Sequence, residues 1–211
     1  MTTEGKAARY AAISALGFLF LVNVYRAATQ SMTHDEAYTY QLYIAAPVSR
    51  IFEYFNPNNH FFAVILMKIS TVVLGVSEFT MRLPSVVSGG FYFYFVYRLC
   101  LLAFGQGYLF LISVLLLSTN PFLLDFHVAA RGYGIGITCL VGAIYSLMLY
   151  STERRGDWRL QIAGMTGLSL AVASNPTFLF PAGMIAVLFV VALPPLPAAT
   201  RKEKRRKAAP A

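Results

Sequence analysis

The chain has 211 residues, 57% of them apolar and only 12% charged, with a mean hydropathy of +0.60. Apolar runs recur from end to end, which excludes an ordinary soluble core and places the chain in the bilayer class. The net charge of +8 would suggest nucleic acid in a soluble protein, but six of the 17 Lys and Arg lie in the closing RKEKRRK. That tail suits anionic cytoplasmic lipid, so membrane lipids and no nucleic acid are the expected partners.

The first apolar run, residues 9–28, follows EGKAAR and lacks an A-x-A cleavage site, which predicts a retained signal anchor. Further spans are predicted at 84–103, 107–126 and 133–150, with shorter ones at 160–174 and 177–193. Residues 60–75, HFFAVILMKISTVVLG, carry Lys68 near the middle and reach only roughly 21 Å. They are read as an interfacial helix in which Lys68 snorkels, with RLPS breaking the chain before the next helix. Six spans put both termini inside and divide the basic residues 12 inside to five outside. Seven spans with the N-terminus outside give the same 12 inside, so the short run and Lys68 decide for six. The expected fold is an all-α integral membrane module over residues 1–197, with a long first outer loop at 29–83 carrying interfacial helices. A disordered basic cytoplasmic tail is expected over 198–211.

In this topology His34, His60 and His127 all fall outside, together with Asp35, Glu36, Glu53, Glu78, Asp125 and Arg131. The inner acids, Glu4, Glu153, Asp157 and Glu203, sit among basic residues as solvated connectors, so the candidate chemistry is external. In THDEAYTY, Thr33 and Glu36 have the spacing of a capping box, which explains Glu36 without function. The sharper reading makes Asp35 a general base at the membrane surface. In NPNNHFF the Asn-Pro-Asn run is a turn, and His60 is open to three readings: a hydrogen-bonding residue at a helix start, a substrate contact or one metal ligand. In DFHVAARGYG, Arg131 is either a snorkelling cation or a bidentate phosphate ligand, for which Lys is less suited. Gly89-Gly90 and the GYGIG run point to close helix packing rather than a phosphate loop. Pro121 and Pro181 lie inside apparent spans and Asn175-Pro176 separates two short ones, which predicts kinks or a re-entrant hairpin there, and Cys100 and Cys139 are expected as buried free thiols.

The ordered set HDEAYTY, NNHFFAVILMKIS, GVSEFTMRLPSVVSGG and NPFLLDFHVAARGYG resembles the GT-C glycosyltransferases over roughly residues 9–180. The likeness is to bacterial members akin to protein O-mannosyltransferases and lipid A aminoarabinose transferases. It implies a cytoplasmic-membrane enzyme that moves a sugar from a polyprenyl-phosphate donor to a lipid, glycan or protein acceptor on the outer face. It also implies that Asp35 is the catalytic acid of the first loop with Glu36 as its neighbour, and that Arg131 and Tyr133 contact substrate. Glu78 and Arg82 are expected to brace the loop as a structural pair. Asn59 and His60 are carried over as substrate contacts, although relatives have His followed by Pro where Phe61 stands here. A divalent metal is possible in some relatives; no Asp-x-Asp pair exists here to hold one, so no obligatory metal is expected. Relatives continue for several more spans, so a truncated or inactive chain is one alternative, and a multi-span transporter or lipid-handling protein another.

Overall fold

A computed structural model describes residues 3–53 and 59–192. The turn expected at 56–58 and the basic tail at 198–211 lie outside the described residues. Among the described residues there is no strand. The helices are α1 (Thr3–Thr29), α2 (His34–Thr39) running into a π-helical turn (Tyr40–Ile44), α3 (Arg50–Glu53), α4 (Phe61–Leu74) and α5 (Glu78–Phe104). They continue with α6 (Tyr108–Ser118), α7 (Pro121–Phe126), α8 (Gly132–Thr152), α9 (Trp158–Ser174), a 3-10 turn (Pro176–Phe178) and α10 (Leu179–Ala192).

Three of these, α1, α5 and α8, are long and apolar enough to cross a membrane, with 27, 27 and 21 residues. They correspond to the expected spans at 9–28, 84–103 and 133–150. The expected span at 107–126 is two helices, because the Asn120 side chain accepts the Phe122 N–H at 3.0 Å and Pro121 begins a new helix. At 17 and 14 residues, α9 and α10 fall short of the roughly 20 a span needs. Outward-facing Phe18, Leu21, Phe180 and Val191 are exposed apolar side chains of the kind that lie against lipid.

Two local expectations are corrected. RLPS does not break the chain: Pro84 lies inside α5. Proline has no N–H to give the Thr80 carbonyl four residues back, and the Ser70 hydroxyl of α4 donates to that carbonyl instead, at 2.6 Å. Nor does Lys68 snorkel. Its ammonium donates to the carbonyls of Ile44 and Ala46, the latter at 2.7 Å, and so caps the C-terminal end of the π-helical turn. Pro181 falls in the first turn of α10, where a missing N–H costs no helical bond.

Helices α1 and α5 run antiparallel: Arg9 donates to the Tyr97 hydroxyl at 2.8 Å near one end, and Arg82 donates to the Ala27 carbonyl at the other. Helix α8 lies along α5 with Thr138 donating to the Ser88 carbonyl, and packs antiparallel to α9. The glycines of the GYGIG run admit close neighbours. A Cβ on Gly132 would stand 1.8 Å from the Ser174 carbonyl oxygen, one on Gly134 2.4 Å from the Phe126 carbonyl oxygen, and one on Gly136 2.2 Å from the Phe178 ring. These contacts clamp the start of α8 between α7 and the α9 corner. Both cysteines are free; Cys100 is buried and Cys139 half-buried.

Candidate functional site

The C-terminal end of α1 and the N-terminal ends of α2, α5 and α8 meet at one end of the bundle. The frame there is a buried ion pair. Helix α2 starts with the expected capping box: the Thr33 hydroxyl accepts the Glu36 N–H, and the Glu36 carboxylate accepts the Thr33 N–H at 2.8 Å. The same carboxylate accepts Arg82 Nε at 2.9 Å, Arg82 Nη2 at 2.7 Å and the Ala130 N–H at 2.7 Å. Arg82 also donates to the carbonyls of Ala27, Gln30 and Ser31, so all five of its N–H groups are used. One guanidinium therefore ties α5 to the end of α1, to the α1–α2 connection and to α2, and through Glu36 to the segment before α8.

Burial would push the Glu36 carboxyl up, but its bonds to Arg82, Ala130 and Thr33 overturn that and hold it at about 2. Two expectations change accordingly. The partner of Arg82 is Glu36, whereas Glu78 accepts the Met32 N–H at 3.2 Å. Glu36, expected beside Asp35 at the reaction centre, is 1% exposed with both oxygens occupied.

Asp35 faces the other way. Its side chain is half exposed and forms an ion pair with Arg131, 96 positions later, while the His34 ring stands 3.8 Å from its other oxygen. Arg131 is the N-cap of α8, and its carbonyl accepts the Ser85 hydroxyl at 3.3 Å. Its guanidinium carbon lies 5.5 Å from the centre of the Tyr133 ring. Tyr133 stacks on Phe126 at 5.0 Å and meets the His60 ring edge-on at 5.3 Å. The expected residues Asp35, Arg131, Tyr133 and His60 thus form one contiguous group. Asn59 points elsewhere, its amide donating to the Ile51 carbonyl at 3.0 Å.

His60 is the N-cap of α4 but makes no side-chain capping bond. It is 3% exposed, and its ring meets the backbone of Ser174 rather than any side-chain partner. Burial first, and the neighbouring Arg131 charge second, lower its pKa to about 4, so the ring is neutral at pH 7. His127 is equally buried: Nδ1 donates to the Leu123 carbonyl at 2.7 Å, and Nε2 lies 3.1 Å from the Thr138 hydroxyl. Burial lowers its pKa to about 4 as well. His127 packs against Gly89 and Tyr92 and holds the loop leading to Arg131. Asn175 escapes sequence reasoning, which reads it only as a separator before Pro176. It is 2% exposed, and its Nδ2 has no partner.

Beside this group a cavity of about 640 Å³ opens between α4, α5, α8 and α9. Its wall includes Ile135, Thr138, Gly142 and Ser146 of α8, a stripe that starts one turn, about 6 Å, beyond Arg131. Most of the remaining wall is apolar or aromatic, with Phe62, Leu66, Phe91 and Phe95 among it. Among the described residues no group of three or more His, Cys, Asp or Glu converges on a point that could hold a metal ion.

A sequence model of the dolichyl-phosphate-mannose-protein mannosyltransferase family matches residues 59–202, more than half of the chain. The matched region holds His60, Arg82, Arg131, Tyr133 and Asn175, and begins after Asp35 and Glu36. Comparison with curated proteins and with solved structures gave no match.

Proposed function

The chain belongs to the dolichyl-phosphate-mannose-protein mannosyltransferase family, and from that premise we propose that it transfers a sugar from a polyprenyl-phosphate donor to an acceptor hydroxyl at the outer face of the cytoplasmic membrane. The observation that carries this reading is the meeting of Asp35 with Arg131 at the start of α8, the helix whose next turn begins, at Ile135, one wall of an apolar cavity. A carboxylate, a guanidinium and an adjoining greasy channel are the three groups needed for a hydroxyl to be deprotonated, a phosphate to be held and an isoprenoid tail to be accommodated.

In this mechanism the donor phosphate takes the Arg131 guanidinium, and Asp35, released from its ion pair, accepts the proton of the acceptor hydroxyl. The hydroxyl oxygen attacks the anomeric carbon, and the bond from that carbon to the phosphate oxygen breaks, its electron pair leaving with the phosphate. Arg131 stabilises the charge that accumulates there, and the configuration inverts. Glu36 has no free lone pair directed to substrate; it positions Asp35 by fixing α2. The reaction as written uses no metal, and turnover is expected to survive chelation by EDTA. Six spans with both termini in the cytoplasm are the topology proposed. Reporter fusions near residue 45 and after residue 207 are expected on opposite sides of the membrane.

The rival transporter reading needs Lys68, Arg131 and Asp125 to share one path. They have separate partners: Lys68 the carbonyls of Ile44 and Ala46, Arg131 Asp35, and Asp125 Arg26. The decisive experiment is in vitro transfer from a polyprenyl-phosphate sugar with Asp35→Ala, which inserts normally and is expected to lose transfer. Substantial retained turnover overturns the base assignment. Arg131→Ala is expected to lose crosslinking to a polyprenyl-phosphate analogue.

A further inference from the structure

The cavity between α4, α5, α8 and α9 has a second end, away from Arg131, and a cation stands there. Its wall on α5 includes Val87, Phe91 and Tyr94, which with Arg98 follow one another at spacings of four, three and four residues. They therefore lie along a single face of the helix. Val87, Phe91 and Tyr94 are each about half exposed, so the cavity is a groove open along this face to the surrounding lipid. Helix α8 packs against both α5 and α9 and forms the floor, where Gly142 and Ser146 present little bulk; Ala163 and Thr166 of α9 belong to the far wall.

At the end of the α5 stripe, the Arg98 guanidinium carbon lies 5.9 Å from the centre of the Tyr94 ring and 5.7 Å from that of Tyr145, and both rings line the groove. Two aromatic side chains thus hold the cation at the rim. Arg98 is exposed and, among the described residues, pairs with no carboxylate. Arg9, bonded to Tyr97, stands at the same level, and the connection from α8 to α9 adds Arg154, Arg155 and Arg159. Among the described residues, the acids at this end are Glu4, Glu153 and Asp157, so the rim is net positive.

An exposed guanidinium at the rim of an apolar groove suits a ligand with a phosphate at one end and a hydrocarbon chain at the other. From Phe95 back to Pro84 the α5 wall is about 16 Å long, close to the roughly 15 Å depth of one leaflet. An acyl chain fills such a groove where a small soluble anion does not, and basic pockets between membrane helices bind anionic headgroups.

We propose that the groove binds an anionic phospholipid from the leaflet at the Arg98 end, with its phosphate on the Arg98 guanidinium and one acyl chain between α5 and α9, over α8. In the topology proposed above that leaflet is the cytoplasmic one. The site goes beyond the donor reading and stands without it, since Arg98 and Arg131 lie toward opposite ends of the groove. An isoprenoid tail entering from the Arg131 end has to displace part of the acyl chain.

The test is native mass spectrometry of the full-length protein in detergent with phosphatidylglycerol, with phosphatidylcholine of the same chains, and with glycerol 3-phosphate. Wild type is expected to bind phosphatidylglycerol roughly fivefold more tightly than phosphatidylcholine, and to retain no glycerol 3-phosphate at the same concentration. Arg98→Gln, at an exposed position, is expected to remove that preference and leave phosphatidylcholine affinity unchanged. Ala163→Trp, which fills the groove from α9, is expected to weaken binding of both lipids roughly tenfold. Equal binding of the two lipids by wild type overturns the proposal, as does a preference that survives Arg98→Gln and so belongs to the RKEKRRK tail or another basic surface. It is overturned equally if Ala163→Trp binds both lipids as wild type does, or if glycerol 3-phosphate binds as tightly as phosphatidylglycerol, which marks a site for a soluble anion.

Discussion

Glu36 and Asp35 are consecutive residues on one short helix, yet they live in opposite surroundings. Glu36 is sealed, bonded to Arg82, Ala130 and Thr33, and belongs to a network in which every Arg82 donor has an acceptor. Asp35 is half exposed and holds a single arginine that also faces Tyr133. A saturated buried pair cannot exchange partners without leaving charge unpaired in a poor solvent for it. An open pair can surrender one member to an incoming ligand. The difference separates a frame from a site, and it can be probed by breaking each pair in turn.

The largest effect is expected for the frame. Glu36→Ala or Arg82→Ala leaves the partner charge buried alone, which costs about 3–5 kcal/mol. Thermal unfolding in detergent reads this as a large fall in midpoint, with loss of insertion-competent protein in cells. The joint variant Glu36→Gln with Arg82→Met is expected to lose less than the sum of the single losses, because neither charge is then stranded. Additive losses would show that the two residues do not act as a unit.

Next in size is the junction that delivers Arg131. Gly132→Ala places a methyl group against the Ser174 carbonyl, a backbone atom that cannot swing aside, so α8 must move away from the α9 corner. Overpacking of this kind costs about 1–3 kcal/mol. Since Arg131 is the adjacent residue, transfer is expected to fall more than the unfolding midpoint suggests. Gly183→Ala, where nothing lies within 4 Å, serves as the neutral control.

What is legible in the sequence follows the range of the interactions. The capping box at Thr33 and Glu36 was readable because both partners lie within one turn. The partner of Arg82 was not, since Glu36 and Glu78 each stand in the first turn of a helix and only the folded chain brings one of them across a gap of 46 positions. The long apolar stretches of α1, α5 and α8 were plain from hydropathy. The break between α6 and α7 was hidden, because an Asn cap and a Pro at the first helical position barely alter the mean apolarity of a window. Lys68 looked like an interfacial cation because its acceptors, carbonyls at the end of a π-helical turn, carry no side-chain signature. Asp35, Arg131, Tyr133 and His60 stand out in their motifs, and the fold joins them; Asn175 does not, because next to Pro176 it reads simply as a breaker.

Acid should affect the two regions differently. His60 and His127 are held neutral at about 4, below the ordinary 6.5, so the stability that their neutral forms supply is complete above pH 6.5 and lost as pH falls through 4. Glu36, lowered from 4.5 to about 2, contributes stability that is complete above pH 4.5 and lost only as pH falls through 2. The unfolding midpoint is therefore expected to decline in two stages, with the upper stage reduced in His60→Phe. A single transition near pH 4.5 in both proteins would contradict this assignment.

The smallest stability effect belongs to the pair most central to function. An exposed carboxylate–guanidinium pair contributes about 0–1 kcal/mol, since water already solvates Asp35 well. Asp35→Asn should consequently leave the unfolding midpoint nearly in place. Its effect on turnover should be far greater, because removing a general base costs about 10²–10⁴-fold. The contrast with Glu36→Ala is the sharpest separation of the neighbours: one substitution damages the protein and with it the activity, the other the activity alone. A fall in stability for Asp35→Asn as large as that for Glu36→Ala would make both carboxylates part of the frame, and the reaction centre would then have to be sought elsewhere along the cavity.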